Sequence, residues 1–243
     1  MKVVAKTDIG LVRSSNEDTY SYVQKDENNF IAFVCDGMGG HLGGAYASHK
    51  AIEIINAEYA MFDPKNPPKN MGVWLFNTLQ KANNAVYEQS LEDENLKGMG
   101  TTVTGIIMVN GVINYAHIGD SRIYVYDEES ILQITTDHTY VNSLLLNGII
   151  TYKQAAKHSG KHILTNALGI KKDVSVDIGS IKLKENEGIF ICSDGLHNLI
   201  DGKKLQKALN EHNENLQDKI DALDEKALAL GGTDNITMII IEQ

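Results

Sequence analysis

The chain has no apolar run long enough to cross a bilayer, no cluster of basic residues, only two cysteines and only three prolines. Each scarcity removes a class of protein. Spanning a membrane takes about 18 to 20 consecutive apolar residues, and the opening "MKVVAKTDIGLVRSSNED" lacks even the shorter apolar core of a secretory signal. A cytoplasmic protein with no membrane partner is the expectation. Lys and Arg number 22 against 32 Asp and Glu, for a formal charge of -10, and they are scattered along the chain. Nucleic acid is therefore not an expected partner, because its recognition needs a concentrated basic surface. Cys35 and Cys192 each end an apolar run, which suits reduced core thiols better than a disulfide scaffold.

What is present is ordinary globular material: 243 residues, 42% hydrophobic and 22% charged, enough for one domain over 1–243 with a sizeable core. Short runs rich in Val, Ile, Tyr and Phe recur, from "KVVAKT", "TYSYVQ" and "FIAFVC" through "TTVTGIIMV", "VINYAHI", "RIYVY", "ILQI" and "VSVDIGSIKL" to "IFICS" and "ITMIII". Punctuated by Gly, Asn and Asp, they predict about ten strands. Helical spacing of apolar residues predicts longer helices over 45–61 and 74–91, with Pro64, Pro67 and Pro68 in the loop between them. A further helix is predicted over 216–229, and shorter helical turns around 140–156 and 203–209. Strands come in runs rather than alternating with helices, which predicts an α+β fold of antiparallel sheets covered by helices.

The stretch "FVCDGMGGHLGGA" (33–45) breaks that regularity with a dense group of glycines led by an acid. Glycine loses more conformational freedom on folding than any other residue, so the group requires a reason. Asp36, Asp120 and Asp194 each follow a predicted strand, whereas Glu17 and Asp234 each precede one. In antiparallel sheets the ends of outgoing strands share an edge with the starts of incoming ones, so the five acids are expected at one rim. Together they would repel by several kcal/mol even at an effective dielectric of about 20. Oxygen donors without cysteine or histidine at ligand spacing point to a hard cation such as Mg²⁺ or Mn²⁺. A lone Asp-Gly at a strand end is ordinarily a turn; five such acids argue otherwise. "GMGGHLGG" has Leu42 where a dinucleotide-binding fingerprint needs its third glycine, and it lacks the Lys-Ser/Thr of a phosphate-binding loop. Six positions after Cys35 and Cys192 stand His41 and Asn198, where a cysteine-nucleophile phosphatase would need arginine.

Taken in order, "RSSNED" (13–18), "DGMGGH" (36–41), "GTT" (100–102), "GDSR" (119–122), "CSDGL" (192–196) and "GGTDNIT" (231–237) closely resemble the metal-dependent, type 2C family of protein serine/threonine phosphatases in its compact bacterial form. The resemblance implies a four-layer α-β-β-α sandwich, two antiparallel sheets flanked by antiparallel helix pairs. It implies Mn²⁺ or Mg²⁺ as cofactor, two ions in a core site and a weaker third. Asp36 would bridge the two ions, Asp194 and Asp234 would complete one site, and Glu17 with the Gly37 carbonyl would serve the other. Asp120 would hold the third ion together with Asp194, and Asp18 would stand behind the ligands and orient water.

Arg13 resembles the family's phosphate-binding arginine, since a guanidinium offers two parallel donors to phosphate oxygens. His41 corresponds to a histidine proposed to act near the leaving oxygen, with a structural role as the alternative. The activity implied is hydrolysis of phosphoserine and phosphothreonine in proteins by a water held between the metals, opposing a bacterial Ser/Thr kinase, by a monomer. Two alternatives stay open: an inactive family member serving as a regulatory binding module, and a phosphatase for small phosphoesters. Segment 137–169 resembles the flap beside the site in bacterial members. It departs from their pattern at Asn166, where arginine is usual, and Ala45 stands where glutamate often follows the glycines.

Overall fold

A computed structural model of the protein describes residues 1–39, 42–211 and 215–242. Its strands are β1 (Lys2–Asp8), β2 (Asp18–Asp26), β3 (Asn29–Met38), β4 (Gly100–Thr101), β5 (Val103–Val109), β6 (Val112–Ile118), β7 (Arg122–Tyr126), β8 (Ile131–Gln133), β9 (Asp177–Ile181), β10 (Gly188–Cys192) and β11 (Ile236–Glu242). The helices are α1 (Gly43–Met61), α2 (Met71–Glu92), α3 (Tyr140–Leu146), α4 (Tyr152–Ala155), α5 (Asp194–His197), α6 (Gly202–Asn210) and α7 (Leu216–Ala229). One sheet runs in the order β1-β11-β10-β7-β8 and the other β2-β3-β5-β6-β9, with β4 paired to the end of β3; every pairing is antiparallel.

The central strands are apolar on both faces because both faces are covered. Along β3, Phe30, Ala32 and Val34 point into the space between the sheets, where they meet Ile106, Ile189, Ile191, Ile239 and Ile241. The alternate residues Ile31, Phe33 and Cys35 pack outward with Ala47, Ile55, Tyr59, Leu75 and Leu79 of α1 and α2. On the opposite side, Phe190, Cys192, Met238 and Ile240 pack with Leu205, Leu209, Ile220 and Leu223 of α6 and α7. The layers are therefore helix pair, sheet, sheet, helix pair, as the resemblance implied. Both cysteines are buried and free. Among the described residues no helix is long and apolar enough to cross a membrane.

Two local features shape β5, one at its far end and one beside the site. Asn110 and Gly111 both have positive φ, 51° and 81°, and join Val109 directly to its partner Val112, the two-residue turn that matches strand twist. The predicted strand "TTVTGIIMV" is interrupted at Thr102, whose hydroxyl accepts from Asp36 N at 2.9 Å while its own N–H donates to Asp36 O at 2.8 Å. That diversion splits the run into β4 and β5. "VSVDIGSIKL" pairs only over 177–181, a shorter strand than its composition predicts. Segment 137–169 folds as α3 and α4 and is clasped at its base by bridges of Thr139 with Leu164 and of Thr101 with Leu168.

Candidate active site

The ends of β3 and β6 and the start of β2 in one sheet lie beside the end of β10 and the start of β11 in the other. A cleft of about 700 Å³ opens there, and Arg13, Glu17, Asp36, Gly37, Asp120, Asp194 and Asp234 all line it. Asp18 is not in the cleft. It is buried behind, opposite Asp36 in the β2–β3 register, and its Oδ2 accepts from Ser193 Oγ at 2.7 Å. His41 lies outside the described residues, as does Gly40.

The glycines answer first to packing. A Cβ on Gly37 would stand 2.1 Å from Gly44 O and 2.6 Å from Glu17 O, and one on Gly44 would meet Glu17 Oε2 at 1.9 Å. The end of β3, the start of α1 and the Glu17 loop thus pack backbone against backbone, and that contact holds Glu17 at the cleft wall. Gly39 adopts φ of 120°, a conformation that side chains disfavour.

Charge is unevenly shared among the acids. Loss of water, compounded by the charges of Asp18, Asp194, Asp120 and Asp234, pushes the Asp36 carboxyl well above its usual range. Burial beside Asp194 does the same to Asp120. Asp18 rises to about 7, chiefly from burial, although hydrogen bonds from Ser193 and Thr237 favour its ionised form. Burial also opposes ionisation of Asp194, yet His162, His197 and a hydrogen bond from Asp36 hold it below the usual range. Asp36 and Asp194, on one cleft, are therefore shifted in opposite directions. At the rim Arg13 Nη2 donates to Asp234 Oδ2 at 2.7 Å.

Acids that raise one another's pKa are acids that a cation would relieve, and the donor set is almost wholly oxygen, so it fits a hard divalent ion by its chemistry. Among the described residues no three His, Cys, Asp or Glu side chains are drawn together tightly enough to hold an ion as they stand. The carboxylates are spread around the cleft, with Arg13 beside Asp234 and His162 beside Asp194.

Other side chains at the site went unassigned in the sequence. Asn235 Oδ1 accepts from Glu17 N at 2.9 Å, and its Nδ2 donates to Ile9 O and Ser15 O, tying the Glu17 loop to the start of β11. Its place next to Asp234 was the available signal. His162, in the segment after α4, also lines the cleft, with Nδ1 3.9 Å from Asp194 Oδ2. No spacing rule links residues 162 and 194. His197 is buried and its Nε2 donates to Asp120 O at 2.9 Å, supporting the backbone that carries Asp120.

Comparison with known proteins agrees with this architecture. The sequence pattern of protein phosphatase 2C matches residues 12–229. The chain is 33% identical to a serine/threonine phosphatase of Listeria monocytogenes, over 98% of this chain and 94% of that protein. It is 32% identical to the protein phosphatase PhpP of Streptococcus pneumoniae, over 99% and 97% respectively. Among solved structures, the serine/threonine phosphatase Stp1 of Staphylococcus aureus superimposes with a TM-score of 0.92 at 31% identity, covering 100% of this chain and 94% of that one. The Mycobacterium tuberculosis phosphatase PstP/Ppp does so with a TM-score of 0.88 at 29% identity, covering 100% and 99%. With the six motifs in order, the four-layer sandwich and a match over nearly its whole length, the chain belongs to the protein phosphatase 2C family.

Proposed function

We propose that the protein is a metal-dependent protein serine/threonine phosphatase that hydrolyses phosphoserine and phosphothreonine monoesters, with Mn²⁺ or Mg²⁺ as its ion. The observation that carries this reading is the gathering of Glu17, Asp36, Asp120, Asp194 and Asp234 on one cleft with Arg13 at its edge. Relatives named as serine/threonine phosphatases cover nearly the whole chain, which supports the substrate class.

Asp36, in the cleft with its carboxyl pushed up by burial and by four neighbouring acids, would be shared by two ions. Asp194 and Asp234 would complete one site, Glu17 and the Gly37 carbonyl the other, and Asp120 with Asp194 a weaker third. When bound, such ions neutralise the phosphate and lower the pKa of water from 15.7 toward about 7 to 9. The chain's own residues do the rest. Arg13 presents a fork of donors to phosphate oxygens, and Asp18, with Ser193 and Thr237, braces β2 and β10 behind the ligands. Monoesters on serine and threonine are made by protein kinases, so a Ser/Thr kinase must supply what this site consumes. Two buried free thiols support a reducing, cytoplasmic setting.

The test is hydrolysis of a phosphothreonine peptide with Mn²⁺, with Mg²⁺ and after chelation. Turnover that requires the ion is expected. A folded, ion-binding protein with no turnover on the peptide would overturn the proposal in favour of a binding module or a different phosphoester.

A further inference from the structure

The chain carries 32 acidic residues, and none of them lies between His138 and Lys172. That stretch holds Lys153, Lys157, Lys161, Lys171 and Lys172, together with His138, His158 and His162. In a protein of formal charge -10 this is a pronounced local reversal of sign. All five lysines are exposed, and none forms an ion pair among the described residues. Elsewhere Lys6, Lys50, Lys81, Lys184 and Lys219 are paired with acids.

The reversal sits at the cleft. Lys161 precedes His162, which lines the cleft and approaches Asp194. Lys171 lines a second cavity of about 160 Å³ that shares Met38 and Leu164 with the cleft, so the two adjoin. Asn166 lies in the same cavity, its Nδ2 donating to Ser175 O at 2.8 Å, and Asp173 is the one acid on its wall. Lys153, in α4, and Lys157 precede Lys161 in the same segment, and both are exposed.

We propose that this strip selects phosphopeptides with acidic side chains beside the phosphoresidue, one of those side chains meeting Lys171 in the second cavity and others meeting Lys161, Lys157 and Lys153. The inference rests on the phosphatase reading of the cleft. The overall charge would favour basic peptides at long range, but at physiological ionic strength the Debye length is about 8 Å. A peptide lying along the strip is governed by the charges within that distance, where the lysines outnumber Asp173, and complementary charge there raises encounter rate and selectivity. The phosphate itself is recognised separately, at Arg13 and the acid-lined floor.

The experiment measures kcat/KM for three phosphothreonine peptides of equal length whose flanking residues are Glu, Gln or Lys. Proteins compared are the wild type, the triple variant Lys153→Glu/Lys157→Glu/Lys161→Glu, and Lys171→Glu. In the wild type the Glu peptide is expected to exceed the Lys peptide about tenfold at low salt. The ratio should fall toward one near 1 M salt, where the Debye length is about 3 Å. It should shrink in Lys171→Glu and invert in the triple variant; using the ratio removes any general loss of activity. Equal constants for the three peptides in the wild type, or a ratio unchanged in both variants, overturns the proposal. Turnover of para-nitrophenyl phosphate with Mn²⁺ is followed in parallel. If that also fails, the phosphatase reading is at fault, and the Kd ratio of the labelled peptides by fluorescence anisotropy still decides the strip.

Discussion

Asp36 and Asp194 face the same cleft with opposite shifts, because Asp36 is surrounded by four other acids whereas Asp194 has His162 and His197 beside it. That contrast makes Asp36→Asn informative twice. Turnover is expected to fall by more than about a thousandfold, about 4 kcal/mol of barrier, because the proposed site uses Asp36 as its shared ligand. Without added ion the same variant should melt at a slightly higher temperature, since one member of a mutually repelling set is neutralised. An active variant, or one that melts lower in chelator, would remove Asp36 from its assigned place. Arg13→Ala should chiefly raise KM for phosphoesters, because the proposed role of this half-exposed guanidinium is a contact to bound substrate. Steady-state kinetics with unchanged KM would take Arg13 out of the phosphate site. The acids were legible in the sequence because each stands at a strand end within a distinctive motif. His162 was not, because its approach to Asp194 depends on how segment 137–169 folds back over the cleft.

At the scale of elements, the central strands were legible as unbroken apolar runs, since burial on two faces removes the polar alternation that a one-faced strand shows. The division between β4 and β5 was not, because it depends on a hydrogen bond between Thr102 and a residue on another strand. Segment 137–169 starts from a contact the motifs did not reveal. Arg122 donates to both carboxylate oxygens of Asp137, Nε to Oδ1 at 2.9 Å and Nη2 to Oδ2 at 2.6 Å, while Gln133 Nε2 donates to Oδ1 at 3.0 Å. Burial opposes the charge on Asp137, but the guanidinium still holds its carboxyl below the usual range. Removing one partner of a buried pair leaves the other uncompensated, so Asp137→Ala is expected to cost about 3 kcal/mol. For a protein of this size that corresponds to a fall of roughly 6 to 12 °C in Tm. A scanning calorimetry shift below a degree would mean that the pair contributes nothing net.

At the scale of the whole molecule, stability is divided between a core that is indifferent to pH and buried groups that are not. His117 is fully buried between β5 and the residues after β8: its Nε2 donates to Thr136 O at 3.0 Å and its Nδ1 accepts from Thr104 Oγ1 at 2.8 Å. Both ring nitrogens are thus satisfied by the neutral imidazole, and burial lowers its pKa from 6.5 to about 4. The folded protein binds this proton more weakly than the unfolded chain does. The stability contributed by neutral His117 is therefore complete above about 6.5 and is lost as pH falls toward 4. A difference of that size is worth on the order of 3 kcal/mol at 1.36 kcal/mol per unit. Asp36 and Asp120 respond in the opposite sense, because their raised values favour the folded state as pH falls, so the acid limb of the wild type alone mixes the two effects. Comparison with His117→Gln separates them. The variant should be less stable than the wild type by urea denaturation at pH 7, and the gap should close by on the order of 3 kcal/mol between pH 6.5 and 4 as the wild type loses what the variant never had. A gap that stays constant over that range would show that His117 does not resist protonation in the fold.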